Sequence, residues 1–278
     1  MKFDYYSIMM LCFGVLASTI TGNTFAGEAK IKKIHTLIVA HRGSSGVAPE
    51  NTLPSFRRAW QEGADAVEGD YYLTKDKKIV CIHDHDTERT AGVKLEIGQT
   101  TLAELRKLDV GSWKDEKYKG TRIPTIAEVF ETVPPGKKIY VEVKVGPEII
   151  PELLKEIGKS GLADDQIVII AFNHEVIREI KKAAPQFTAN WLRSVKKEEN
   201  GEWSHPLDED LKTLKAIGAD GLSSNNQVDQ AYVQAVIDAG FEHHVWTVND
   251  LETAQRFKKW GTKSITTNLP GLIAAVND

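Results

Sequence analysis

Two hydrophobic periods alternate along this chain from residue 36 onward. Short runs rich in β-branched and other apolar residues, of a length suited to strands, lie at 36–40, 66–73, 79–82, 138–143, 166–172, 188–192, 221–223, 244–248 and 264–267. The stretches between them space their apolar residues by three and four, which predicts helices over 53–62, 147–160, 174–183, 207–217, 229–239, 251–260 and 271–276. Several open behind a side chain able to accept a backbone N–H (Thr52, Asn173, Asp229, and Asn249 or Asp250) and close at a glycine (Gly63, Gly161, Gly218, Gly240, Gly261), the expected asymmetry of helix ends. Strand and helix taken in turn imply βα units around a mainly parallel sheet.

Nine runs exceed by one the eight strands of a (β/α)8 barrel, whose usual length is near 250 residues. The surplus resolves at residues 75–78. Four residues are too few for a parallel crossover, which needs a dozen or more, so the run at 79–82 folds back antiparallel on 66–73. Pairing Thr74 with Ile79 would carry the register on to set His83 opposite Asp70. The stretch at about 85–135 then reads as a small insertion after this hairpin, with short helical patterns at 102–108 and 126–132. Loops of this length are uncommon in compact domains unless they have a role. Residues 27–278 carry no Pro/Gly-rich linker, low-complexity run or composition break, so the expectation is one α/β domain, a (β/α)8 TIM barrel.

Composition changes this picture mainly at the amino terminus. Lys2 precedes an apolar core at 8–17, and Thr24-Phe25-Ala26 puts small residues where a signal peptidase reads. Residues 1–26 are therefore expected to be a cleaved signal peptide of a secreted or periplasmic protein, the apolar run being shorter than the roughly 20 residues of a membrane span. Removal takes Lys2 and Asp4 together, leaving the net charge at −4, too small to argue for nucleic acid or an anionic membrane as a partner, and no stable membrane insertion is expected. Cys12 leaves with the leader, so Cys81 has no partner for an internal disulfide and stability must come from the core.

The chemistry gathers at strand ends. Glu68 and Asp70 lie two apart on one strand and project from the same face; Glu142 and Lys144 repeat the arrangement, with Val141, Val143 and Val145 on the other face. A barrel interior is expected to be apolar, and a lone carboxylate buried there must be paired or bind a metal. Three carboxylates without clustered thiols make a hard oxygen site suited to Mg2+ or Ca2+. His41 ends its strand beside Arg42 and Gly43, where ligands of parallel sheets bind, and a guanidinium is a natural fork for phosphate. His83 ends the hairpin strand. Two histidines flanking a phosphorus centre could divide proton removal and proton donation between them.

The set His41-Arg42-Gly43, Pro49-Glu50-Asn51-Thr52, Glu68-Gly69-Asp70, Ile82-His83-Asp84, Arg89-Thr90, Val141-Glu142-Val143-Lys144 and Val245-Trp246-Thr247-Val248-Asn249, in this order from about residue 36 to the carboxyl terminus, closely resembles the glycerophosphodiester phosphodiesterases. That family belongs with the phosphatidylinositol phospholipase C-like barrels. The resemblance implies a (β/α)8 barrel and cation-dependent hydrolysis of glycerophosphodiesters to glycerol 3-phosphate and an alcohol. It implies His41 and His83 as the acid/base pair, Glu68, Asp70 and Glu142 as cation ligands, Arg42 and Lys144 as phosphate contacts, and Trp246 as the wall of the glycerol end. Glu50 either supports the site from behind or joins the metal. Asn51 and Thr52 are equally a helix cap or substrate contacts. Which histidine is acid and which base, and whether water or the glycerol 2-hydroxyl attacks, stay open at this level.

The chain departs from the family pattern at Thr267-Asn268, where Thr-Asp is usual, at Tyr71, and in the extra His85 of Asp84-His85-Asp86. These departures are expected to lie outside the catalytic set and to bear on substrate preference. His35, His174 and His205 read as solvated, His243 and His244 precede the functional end of their strand, and Trp191 is balanced between cleft and core. Two other readings compete: a phospholipase on the same barrel (lysophospholipase D or phosphatidylinositol phospholipase C-like), and a non-catalytic phosphodiester-binding protein. Absence of a long exposed apolar stretch argues against the first, and retention of both histidines and all three carboxylates against the second.

Overall fold

The computed structural model describes residues 35–277; the expected signal peptide lies outside the described residues. In chain order these form β1 (Leu37–His41), α1 (Leu53–Gln61), β2 (Ala66–Leu73), β3 (Ile79–Cys81), α2 (Glu88–Ala91), α3 (Leu102–Leu105), α4 (Ile126–Phe130), β4 (Lys138–Val143), α5 (Ile150–Ser160), β5 (Ile167–Ala171), α6 (His174–Ala183), β6 (Thr188–Arg193), α7 (Leu207–Ile217), β7 (Gly221–Asn225), α8 (Gln230–Asp238), β8 (Glu242–Trp246), α9 (Leu251–Lys259), β9 (Ser264–Thr267) and α10 (Pro270–Ile273). All nine expected strands are present. Eight of them, all but β3, are parallel and close into a barrel because β1 pairs with both β9 and β2. The expected (β/α)8 architecture is the observed one.

Helix caps follow the sequence signals. Asn173, Asp229 and Asp250 accept the N–H of Glu175, Tyr232 and Thr253 at the starts of α6, α8 and α9. Asp250 rather than Asn249 is the α9 cap, and Asn249 instead takes the Asn268 N–H at 2.9 Å. The main core lies between the outer faces of the strands and the helices: Val67, Val141 and Ile169 meet Phe56, Leu153, Ile177, Val233 and Phe257, all fully buried. The barrel interior is smaller and mixed. Val39, Ala66, Tyr140, Val168, Ile170 and Leu192 form its apolar part, beside buried Glu68, Glu142, Asn190, His244 and Ser264.

Two expectations need correction. The hairpin pairs Leu73 with Ile79 and Tyr71 with Cys81, one residue away from the expected register. Thr74 N–H donates to Lys78 O at 2.8 Å, so the loop has three residues instead of four, with Lys77 left-handed at φ 59°. A three-residue loop ending in a left-handed residue is a standard hairpin solution, and the Thr74 hydroxyl supports it by accepting the Lys78 N–H at 2.9 Å and donating to Asp76 at 2.7 Å. Asp70 is thereby opposite Ile82, whose N–H it accepts at 2.9 Å, and His83 lies beyond the ladder.

The second correction concerns the insertion. Val80 and Ile82 pack with Ile97, Leu105, Val110 and Ile123 in a separate apolar cluster outside the barrel. The helix α4, expected within the insertion, instead buries Ile126, Val129 and Phe130 in the main core and is the barrel helix that precedes β4. Its short length disguised it.

The sharp exit from β1 depends on Gly43, at φ 77°, where an added Cβ would lie 2.5–2.8 Å from Ser55 and Phe56 atoms. Strain from the left-handed backbone, about 1–2 kcal/mol, and overpacking, about 1–3 kcal/mol, should act together in Gly43→Ala. Denaturant unfolding should therefore show a loss of about 2–5 kcal/mol; a change under about 0.5 kcal/mol, the ordinary surface range, would contradict this account of the turn.

Candidate active site

The site begins with a change of partner along β2. Its first half pairs with β1, from Val39–Ala66 to His41–Glu68, and its last residues pair with β3. At the gap between them stands Asn51, whose side chain accepts the Asp70 N–H at 3.2 Å and donates to Asp70 Oδ2 at 2.8 Å. Thr52 caps α1. Of the two alternatives for this pair, Thr52 is the cap and Asn51 holds a carboxylate.

Glu68, Asp70 and Glu142 come together as expected. They are 2%, 1% and 8% exposed, and one oxygen from each lies within 4.8 Å of the others. Registers explain this: Asp70 and Glu142 are neighbours across the β2–β4 ladder, and Glu68 is two residues before Asp70 on the same face. Arg42, left-handed at φ 56°, turns its N–H onto Glu68 at 2.9 Å and places its Nε 3.3 Å from Asp70. Lys144 lies 2.7 Å from Glu142 and 3.3 Å from Asp70.

Electrostatics divide the three acids. Burial pushes Glu68 well above the usual carboxylate range, and the neighbouring Asp70 and Glu142 charges add to it. Burial and Asp70 likewise raise Glu142, against the pull of Lys144. Asp70 goes the other way: burial alone would raise it, but Arg42 and Lys144 outweigh burial and hold it ionised. Glu68 Oε1 is buried without a hydrogen-bond partner. An orphaned oxygen beside two further carboxylates, with no thiol or imidazole in the cluster, fits a hard divalent cation.

Glu50 does not join them. Its two oxygens are taken by guanidinium groups, Arg42 Nη1 at 3.0 Å and Arg89 Nη1 and Nη2 at 3.0 and 2.7 Å, so it supports the site through Arg42. Burial is overcome by these contacts, which keep its carboxyl below the usual range.

His41 and His83 line one cleft of about 210 Å3 with Arg42, Glu68, Glu142 and Lys144. Asp70 lies beneath its floor, covered by the two cations. The opposite wall is Ile170, Phe172, Leu192 and Trp246, and Tyr140 lines the cleft from β4, two residues before Glu142. Trp246 is held by a 3.0 Å bond from its indole N–H to Ser223 O and meets Phe172 edge to face, so it is a cleft wall. Trp191 is core: 4% exposed, it donates to Phe172 O at 2.9 Å. His244 is buried inside the barrel, bonded to Asn190 and Ser264, whereas His243 faces the helix layer, stacked on Phe257 and bonded to Ser224 and Thr262.

The two cleft histidines differ in their partners. His83 Nδ1 is 2.7 Å from the Asp84 carboxylate. His41 Nδ1 is 2.7 Å from Asn268 Oδ1, which also accepts the Ser45 hydroxyl at 3.1 Å. The expectation that the Asn268 departure stands apart from the catalytic set is thus wrong: closure of β9 onto β1 brings it against His41. An amide oxygen can only accept, so this contact places the His41 proton on Nδ1 and the lone pair on Nε2. Burial, with Arg42 beside it, lowers the His41 pKa to about 4. Asp84, Arg89 and Asn268 are the site residues that single-residue reasoning did not assign; the recurrence of Asp84 and Arg89 in one motif was the available signal.

A family model described as the glycerophosphoryl diester phosphodiesterase family matches residues 41–272. A glycerophosphodiester phosphodiesterase of Caldanaerobacter subterraneus subsp. tengcongensis is 34% identical over 242 residues, covering 84% of this chain and 95% of that protein. One from Bacillus subtilis is 28% identical over 288 residues, covering 97% and 96%. Among solved structures, an Oleispira antarctica phosphodiesterase in complex with the product sn-glycerol-3-phosphate superposes with a TM-score of 0.77 at 29% identity, covering 86% of this chain and 96% of that one.

Cation binding should compete with protons at Glu68 and Glu142, whose raised pKa values favour the protonated form as pH falls. Added Mg2+ or Ca2+ should raise Tm, by about 2.7 kcal/mol of stability at 100 times Kd, with a larger increment at pH 8 than at pH 5.5. An increment that is unchanged in Glu142→Gln would remove this residue from the ligand set.

Proposed function

This chain belongs to the glycerophosphoryl diester phosphodiesterase family, and from that membership we propose a division of labour for its hydrolysis of glycerophosphodiesters to sn-glycerol 3-phosphate and an alcohol. The observation that carries the proposal is a cleft with a charged half and an apolar half, in which two histidines face inward with opposite partners. The phosphate lies between Arg42 and Lys144, whose fixed charges neutralise what develops on its oxygens during reaction. Trp246 and its apolar neighbours receive the glycerol backbone.

His41 is the base. Its Nδ1–H is committed to Asn268 and its lowered pKa keeps Nε2 unprotonated at neutral pH, ready to take a proton from the attacking hydroxyl. His83 is the acid. Its Nδ1 lies 2.7 Å from the Asp84 carboxylate, which orients the ring and leaves Nε2 to give a proton to the leaving oxygen. A divalent cation, Mg2+ or Ca2+, held by Glu68, Asp70 and Glu142 would polarise the phosphate and lower the pKa of the attacking oxygen. The leader-like segment at residues 1–26 supports export, and sequencing of the mature protein is expected to begin after Ala26.

Release of sn-glycerol 3-phosphate from sn-glycero-3-phosphocholine should be abolished by EDTA and restored by Mg2+ or Ca2+. His41→Ala and His83→Ala should each lower turnover about 100-fold or more; near-normal rates in both would sink the assignment. The base must be unprotonated and its pKa is lowered by burial and Arg42, so at saturating cation the acid limb of kcat/KM should lie well below the ordinary histidine range. Asn268→Asp, which places a charge on His41 Nδ1–H, should move that limb toward neutral pH, and an unmoved limb would exclude His41 as the base.

A further inference from the structure

We propose that Arg89 is a positioning residue for the acid step, holding Asp84, and through it the His83 ring, in fixed relation to the phosphate-binding Arg42. The inference rests on the acid role given to His83. Backbone pairing does not orient that ring: the β2–β3 ladder ends at Tyr71–Cys81, and the last backbone bond of the hairpin is Ile82 N–H to Asp70 O. What holds His83 is Asp84, its neighbour in sequence, 33% and 28% exposed as side chains. A lone pair at such exposure contributes between nothing and about 1 kcal/mol and fixes little.

Arg89 changes that. From the four-residue helix α2 its Nε donates to Asp84 Oδ2 at 2.6 Å, while Nη1 and Nη2 grip both oxygens of Glu50 at 3.0 and 2.7 Å. Glu50 in turn accepts Arg42 Nη1 at 3.0 Å. One guanidinium therefore spans the loop that follows β1 and the loop that follows β3, and the His83–Asp84 pair is braced through Glu50 against Arg42. The planar fork is needed, because a lysine ammonium cannot meet two carboxylates in this geometry. The insertion that begins with α2 acquires a reason for its place beside the cleft.

The test compares two substrates. Arg89→Met should lower kcat for sn-glycero-3-phosphocholine about 10–100-fold while KM and the half-saturating Mg2+ concentration stay unchanged. A 4-nitrophenyl ester of glycerol 3-phosphate, whose leaving group departs without a proton, should lose little. In the His83→Ala background the same substitution should cost nothing further. Arg89→Lys should fail to restore kcat, and Asp84→Asn, which leaves Arg89 in place, should reproduce the loss if Arg89→Met does not fold. Equal losses on both esters, or a full further loss in the His83→Ala background, would overturn the proposal. Wild-type turnover and its fall in His83→Ala test the acid role separately.

Discussion

Mutual repulsion among three buried carboxylates is the constraint on which this site depends. Glu68, Asp70 and Glu142 are nearly withdrawn from water and within a few ångströms of one another, a placement that no apolar packing could repay. The surrounding residues answer that charge. Arg42 and Lys144 keep Asp70 ionised, Asn51 donates to it, and the Arg42 backbone N–H reaches Glu68. The remaining unpaired oxygen on Glu68 marks where a cation completes the balance. The same two cations, Arg42 and Lys144, also line the cleft above the acids.

Barrel closure divides the cleft. Strands β1, β2 and β4 are neighbours and carry the charged side chains, whereas β5, β6 and β8 bring Ile170, Leu192 and Trp246 around from the other side. A ligand with an ionic centre and a less polar arm fits such a cleft in one orientation. Asn268 at the end of β9 and Asp84 beyond β3 then give the two histidines unlike environments. An amide oxygen faces one ring and a carboxylate the other, so residues of one type meet unlike partners.

Much of this was legible in one dimension. The strands Ala66–Leu73, Lys138–Val143 and Ser264–Thr267 match their expected limits, because each is bounded by a turn signal or a charge. Glu68 and Asp70 could be placed on one face, since alternation along a strand is a local property. The hairpin register was missed by one residue because the Thr74 hydroxyl shortened its loop, which depends on side-chain geometry that hydrophobic period does not record. The helix Ile126–Phe130 was assigned to the insertion because so short a segment shows its burial only once α1 and α5 are packed beside it.

The sequence by itself determined the alternation of strand and helix, the residue types at each strand end and the reaction class that their order implies. Those features rest on periodicity, capping and motif spacing, which are interactions between near neighbours. Only the tertiary structure decided the partners: Asn268 on His41 across 227 residues, Arg89 on Glu50 across 39, and the charged half of the cleft against the apolar half. A side chain's proton affinity and orientation follow from what closes around it, and ring closure of the barrel joins β9 to β1, the two ends of the folded chain.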